Sequence, residues 1–350
     1  MSRTRYTLLR HTLLKLFGFG LSIAEAAVEV DLIQPEEREP TPLVHALPGQ
    51  LEKARRGVDG HSTLEEELQP FRSPYMVHAP VIRYTLRECL VHPHGVDFLG
   101  GRISKAGGQR LKARRKPADH IHKAVYCMTP VSHQYFGHWL RDACATALLA
   151  RPDEDVLLDA RRDWPHTAQY VDAFSLQARD ATPAVHVHEL SVYQDFSQGS
   201  SKRARYEQLR QRAAARFGAP VGKGQPVYLR RGNTGAGRII HNEAAVARHL
   251  EGMGFRVLDV ASLTARELYL GLAASPVVVS IEGSHLNHIY MSMKKGSSLL
   301  VLMPADRFSS THFGVSAALD IHFGFLMAEV RQSGYHVDLD ELTRTLALMP

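Results

Sequence analysis

Apolar runs and helical runs alternate between Pro226 and Pro304, and no other feature limits the fold of this chain as strongly. Pro226–Arg231 reads as an apolar strand ending on two arginines, and Arg256–Val260, Val277–Ile281 and Leu299–Met303 read as three more. Helices fit between them. The first opens at Asn242 and Glu243 with Val246, Leu250 and Met253 at helical spacing, and others follow at 264–274 and about 286–295. Strands separated by helices of this length predict a parallel sheet covered on both faces. Ligands of such sheets sit beyond the carboxyl ends of the strands. Two unusual elements stand there: the loop Gly232–Arg238, rich in glycine and bounded by arginines, and the turn Glu282-Gly-Ser-His285. This half of the chain is therefore expected to hold an anion, most simply a nucleoside diphosphate.

The chain has 350 residues, 44% of them hydrophobic and 22% charged, which is ordinary for a globular protein and long enough for two domains. No segment approaches the ~20 uninterrupted apolar residues of a membrane span. Cys89, Cys127 and Cys144 form no CxxC pair, which argues against a disulfide framework or a cysteine-held zinc and fits a reducing compartment. The net charge of +6 raises nucleic acid as a partner. The denser basic runs, Arg102 to Lys116 and Ser201 to Arg216, lack interleaved aromatics, however. They read as solvated faces that attract anions, and no nucleic-acid partner is expected.

Residues 1–27 mix Arg3, Arg5, Arg10 and Lys15 with Leu8, Leu9, Leu13, Leu14, Leu16 and Phe17. Three readings stay open: an amphipathic helix lying on an anionic membrane surface, a helix packed on its own domain, and a cleaved signal ending near Ala24-Glu-Ala26. Residues 33–74, rich in proline, glycine and charge, read as a linker or irregular surface segment. Short strands are expected at Val81–Leu86, Cys89–His92, Val96–Leu99, Val125–Met128, Val156–Leu158 and Val185–His188. Helices are expected from Gly137 to about Ala150 and from about Arg203 to Phe217. The expected organisation is a basic N-terminal segment and linker over 1–74, an α/β domain over 75–204, a Rossmann-like domain over 205–310 and a tail over 311–350.

A second informative element is Phe136-Gly-His-Trp-Leu-Arg-Asp142. His138 and Asp142 are four apart and share a helix face, so they can act as a general base with its orienting carboxylate. A helix-start ion pair fits the same spacing. Trp139 reads as core. Histidine pairs stand at His92/His94, His120/His122, His186/His188 and His285/His288, but they lie far apart in sequence and few have a carboxylate at ligand spacing. No metal site and no cofactor are expected. Asp153-Glu-Asp155 precedes its strand and reads as a solvated turn.

Taken together these elements resemble glycosyltransferase family 61, whose bacterial members include capsular polysaccharide biosynthesis proteins. The family's first motif, Asn-Tyr-x-His-Trp with an acidic residue beyond, corresponds to Tyr135–Trp139 and Asp142. Its second, an apolar strand ending in Ser-Arg, a loop with another Arg and an Asn-Glu helix start, corresponds to Leu229-Arg230-Arg231 through Arg238 to Asn242-Glu243. Its third, a His-Gly-Ala-x-Leu turn, corresponds to Glu282-Gly283-Ser284-His285-Leu286. Tyr135 stands where the family usually has Asn, Glu282 where it has His, and His288 where Asn is common. The resemblance covers roughly residues 80–310, with the motifs in the family's order.

The resemblance implies an α/β GT-B fold, two Rossmann-like domains facing across a cleft, and metal-independent inverting transfer from a nucleotide sugar, UDP-sugar foremost. The acceptor would be a glycan or glycolipid in surface polysaccharide biosynthesis, handled in the cytoplasm or peripherally on the inner face of the membrane. The candidate catalytic residues are His138 and Asp142. The candidate donor-binding residues are Arg230, Arg231, Arg238, Asn242, Glu282, Gly283, Ser284 and His285. The chemistry agrees: without a metal, arginines and backbone amides must stabilise the leaving diphosphate. The alternative from another class is a non-catalytic nucleotide- or glycan-binding module of the same fold.

Overall fold

The apolar runs after Pro226 fold into one parallel sheet. Strands Val227–Arg230, Arg256–Asp259, Val277–Ile281, Ser298–Pro304 and His322–Arg331 lie in the order second, first, third, fourth, fifth. All of these pairings are parallel, and the short strand Gly334–His336 adds one antiparallel edge. The order reverses between the first and third strands, which is where sheets of this kind place ligands. Their ladder covers only Val227↔Val278 and Tyr228↔Val279. One residue further on, the carbonyl of Leu229 accepts a 2.6 Å bond from the Ser280 hydroxyl.

The structure is a computed structural model that describes residues 20–350 apart from 59, 105–116, 160, 162, 181–182, 221–223, 233–236 and 333. The basic amphipathic segment expected at the amino terminus lies outside the described residues as far as residue 19. So do the middle of the Gly232–Arg238 loop and most of the basic run Arg102 to Lys116. The fold class is α/β, as expected. The described chain divides into two compact units, one of residues up to Glu37 with Ala79–Leu209, the other of Arg38–His78 with Arg210–Pro350.

In the second unit the helix Glu243–Gly252 lays Val246 and Leu250 on a core that includes Tyr228, Val279, Leu300, Leu302 and Leu326. Met253, expected on the same face, is exposed because the helix ends at Gly252. Thr264 and Glu267 close a capping box on the helix Ala265–Leu272. The segment expected as a linker carries the helix Leu64–Arg72, itself capped by Thr63 and Glu66. Phe71 stacks on Phe313 at 4.8 Å between ring centroids, and Gln50 accepts a 2.7 Å bond from the Met327 amide. Beyond Pro304 come the helix Thr311–Ala318, the fifth strand and the helix Leu339–Leu346.

The first unit is built on a mixed sheet. Strand Val185–Gln194 pairs antiparallel with Val81–His92 on one side and parallel with Asp119–Tyr126 on the other. Asp155–Leu157 and Ala178–Arg179 continue the parallel half, while Gly95–Phe98 and Gly101–Ser104 add two antiparallel strands beyond Val81–His92. Val81–His92 is one strand rather than two, and Glu88 within it takes a left-handed φ of 51°. Asp119–Tyr126 starts six residues before the expected Val125, because His120, His122 and Lys123 interrupt its apolar pattern. All three cysteines are free and buried. No helix among the described residues is long and apolar enough to cross a membrane.

Leu302 lies in the middle of the fully buried strand Ser298–Pro304 and inside the core of the second unit. Leu302→Ala should cost about 2–5 kcal/mol, the sum of lost apolar transfer and the cavity left behind. Guanidinium titration is expected to show the midpoint falling with little change in slope.

Candidate functional site

The short helix Phe136–His138 follows the carboxyl end of strand Asp119–Tyr126 and runs into a π-turn, Trp139–Ala143. Turns of this type widen the helix locally and are frequent at functional sites. Trp139 anchors it as expected of a core residue: it is fully buried, and its indole N–H donates to the Asp159 carbonyl at 2.9 Å. His138 Nδ1 lies 2.7 Å from Asp142 Oδ2, so the pair read from the spacing is formed. Arg141 Nη2 reaches the same carboxylate oxygen at 3.1 Å and lies 2.9 Å from His138 Nδ1. Asp142 can only accept, so the 2.7 Å contact requires Nδ1–H, and Arg141 then gives its Nη2–H to Asp142 Oδ2 rather than to Nδ1. That tautomer leaves the lone pair on His138 Nε2. The side chain of His138 is 31% exposed, against 15% for Asp142.

Behind the pair stands a network that the sequence did not reveal. Lys202, with no exposed surface at all, donates to Asp142 Oδ1 at 2.8 Å and to the Asp195 carbonyl at 2.9 Å. Arg205 clamps the Asp195 carboxylate through two bonds of 2.8 and 3.0 Å. Both cations belong to the run Ser201 to Arg216 that reads as a solvated face; their burial corrects that expectation. Burial alone would raise the Asp142 carboxyl, but Arg141 and Lys202 outweigh it and hold the group well below its usual range. Asp142 is thus a fixed anion, and it in turn orients His138.

In the second unit the two arginines at the end of the first strand part company. Arg230 turns to Asp259 on the neighbouring strand, with bonds of 3.1 and 2.8 Å, and its side chain stays 42% exposed. Arg231 is 8% exposed. Burial, then the nearby Arg238 and Arg307, lower it from the ordinary guanidinium range to about 10, with Glu282 acting in the opposite sense. Arg238 lies 3.1 Å from Glu282 Oε2 and donates to the Glu282 carbonyl at 3.1 Å. His312 Nε2 faces the other carboxylate oxygen at 3.6 Å. Burial would raise Glu282, but Arg238 and His312 lower it to about 2. Three guanidinium groups therefore gather around one buried carboxylate, a net positive site. Arg307 and His312 belong to it although no motif pointed to them.

Gly283 and His285 lie beside this cluster. A Cβ at Gly283 would come within 2.9 Å of Arg238 Nη1 and 3.0 Å of His285 Nδ1. His285 Nε2 is 2.8 Å from Ser280 Oγ. Ser284 offers its carbonyl to Asn287 at 2.9 Å. Asn242 uses both ends of its amide on the main chain of Val337, at 2.7 and 3.1 Å, and so ties the helix Glu243–Gly252 to the C-terminal strand region.

The histidine pairs resolve differently. His120 and His186 are opposite each other on parallel strands, with their Nδ1 atoms 3.3 Å apart. Glu88 binds His188 and lies 3.1 Å from His186 Nε2. Among the described residues no group of three or more His, Cys, Asp or Glu side chains is arranged to hold a metal ion.

The lowered carboxyl of Glu282 gives an acid dependence with a definite sign. Its folded value of about 2 lies below the ordinary 4.5, so the stability it contributes is present above pH 4.5 and is lost as pH falls toward 2. Glu282→Gln should flatten the loss of stability across that window, measured by denaturant titration at a series of pH values. An unchanged acid limb would mean that the carboxylate is not held by Arg238 and His312.

Residues 136–300 match the family Glycosyltransferase 61. No curated protein matches the chain. Among solved structures, a flavo di-iron protein mutant from Thermotoga maritima is similar at 11% identity with a TM-score of 0.27. That likeness covers 77% of this chain and 63% of the other, less than two thirds of its length, and at such a TM-score it carries no argument. The matched segment contains His138, Asp142, Arg231, Arg238, Glu282 and His285, and it supports glycosyltransferase family 61 as the family this chain is similar to.

Proposed function

We propose that this chain is an inverting, metal-independent glycosyltransferase of GT-B architecture. It moves a sugar from a nucleotide-sugar donor, a UDP-sugar first among them, to a glycan or glycolipid acceptor. The acceptor belongs to surface-polysaccharide assembly on the cytoplasmic side. One observation carries the reading: Arg231, Arg238 and Arg307 gather around Glu282 at the strand ends where the order of a parallel sheet reverses. A net positive, partly desolvated site at that position fits a diphosphate.

The chemistry then divides between two groups of residues. The acceptor hydroxyl attacks the anomeric carbon, the bond from that carbon to the diphosphate oxygen breaks, and the hydroxyl proton passes to His138 Nε2. Asp142 stabilises the imidazolium that results, and Lys202 and Arg141 keep Asp142 ionised throughout. The electron pair of the broken bond leaves with the diphosphate, where the arginines offset the growing charge. Arg231, buried at the strand end beside Arg238 and Arg307, is the leading phosphate ligand. The Glu282 carboxylate positions Arg238.

A thermal-shift panel of UDP, GDP, CMP and TDP against an oligonucleotide, followed by donor hydrolysis with the matching nucleotide sugars, tests the class. A charge-assisted bond to phosphate contributes about 1.5–3 kcal/mol, so Arg231→Ala should weaken nucleotide binding about ten- to hundredfold. Arg231→Lys should restore it only in part. Binding equal to the parent in Arg231→Ala would remove the phosphate site from this strand end.

His138→Ala and Asp142→Asn should lose turnover by about 10²–10⁴-fold while nucleotide affinity holds, because positioned proton transfer contributes that much. Steady-state kinetics beside calorimetric binding separates the two quantities. Parental turnover in His138→Ala would return the pair to a structural role. Nucleotide binding without turnover on any donor would favour the binding-module alternative.

A further inference from the structure

The hydrogen-bond roles of His285 are fixed by its neighbours. Ser280 Oγ lies 2.6 Å from the Leu229 carbonyl and 2.8 Å from His285 Nε2. A carbonyl only accepts, so the single hydroxyl proton of Ser280 goes to Leu229. The contact with His285 must therefore run from Nε2–H to Oγ. A neutral imidazole has one N–H, which leaves a lone pair on Nδ1. Burial, followed by the charges of Arg231 and its neighbours, keeps the ring neutral.

That lone pair faces no partner. His285 is 6% exposed, and Nδ1 is buried without a hydrogen bond. Buried acceptors of this kind are rare in folded proteins and ask for a cause. Gly283 leaves open the space between Nδ1 and Arg238 Nη1, which any Cβ would fill. The surrounding cations, Arg231, Arg238 and Arg307, have donors only. An ionised diphosphate has acceptors only, so it suits the arginines and is repelled by Nδ1. A ligand that satisfies both has phosphates next to a group that can give a proton.

We infer that His285 Nδ1 accepts a hydrogen bond from a hydroxyl of the bound nucleotide sugar, on its ribose or on the transferred sugar, and makes the site selective for that hydroxyl. The inference rests on the donor-site reading above. It turns an arginine cluster that would take any diphosphate into one that reads the group beside the phosphates. Buried polar groups left unpaired by an analogue are a strong source of discrimination.

Calorimetry on the full chain tests it, with UDP and GDP, their 2′-deoxy and 3′-deoxy counterparts, and the matching nucleotide sugars as probes. If the ribose supplies the hydroxyl, one deoxynucleotide should bind the parent about tenfold more weakly, the equivalent of one net hydrogen bond. If the sugar supplies it, the deoxynucleotides bind equally and the nucleotide sugar binds about tenfold more tightly than the free diphosphate. His285→Gln keeps an N–H for Ser280 and has no atom at the Nδ1 position, so it should abolish the discrimination while diphosphate binding persists. His285→Asn, with an amide oxygen able to take the Nδ1 position, should retain part of it. Equal binding across both arms by the parent overturns the inference without need of any variant, as does discrimination surviving in His285→Gln. A parent that binds no nucleoside diphosphate overturns the donor-site reading and this inference together. Arginine-dependent binding without hydroxyl discrimination overturns this inference alone.

Discussion

A single buried carboxylate lets three guanidinium groups share one end of a sheet. Arg231, Arg238 and Arg307 repel one another, and burial sharpens that repulsion because little water screens it. Glu282 offsets it from within, pairing with Arg238 and lowering the field on Arg231. The carboxylate is in turn locked in its charged form by the same arginines. The arrangement is mutually dependent: without Glu282 the arginines would spread into solvent, and without them Glu282 would protonate. What remains after this cancellation is an excess of positive charge, already oriented before any ligand arrives.

The first unit solves a related problem with the opposite sign. There two carboxylates, Asp142 and Asp195, are held by Arg141, Lys202 and Arg205. Lys202 bridges them from a position with no solvent contact. Burial of such groups is costly unless each is paired, so this network adds definition more than stability. Its product is a carboxylate held in its charged form, set against a partly exposed imidazole.

Much of the second unit was legible because buried parallel strands are continuous apolar runs, and Val277–Ile281 and Leu299–Met303 are clear examples. The helix start at Asn242 was marked by the Asn-Glu motif, and the helix after Thr264 by its place between two apolar strands. The fifth strand went without an element of its own, since His322 and Glu329 blur an otherwise apolar stretch. In the first unit, His120, His122 and Lys123 hid the first six of the eight residues of strand Asp119–Tyr126. At the candidate sites, spacing revealed the local pair His138–Asp142 and the strand-end arginines. It could not reveal Lys202, sixty residues from Asp142, or Arg307 and His312, whose relation to Glu282 is created only by the sheet. A charged side chain in a basic run looks the same in sequence whether it is solvated or buried.

The fifth strand also governs where this chain can be shortened. Ser298–Pro304 is buried along its whole length and is paired on one side by Val277–Ile281 and on the other by His322–Arg331. A chain ending just after Pro304, four residues beyond the family similarity, would lose the second partner. The five residues Leu299–Met303, all leucine, valine or methionine, would then present an open row of backbone donors and acceptors. Such an edge is a template for pairing with further copies. The last forty residues are therefore the guard of the sheet: they keep its most apolar strand from becoming the seed of an aggregate, although no candidate site residue lies in the strand they add.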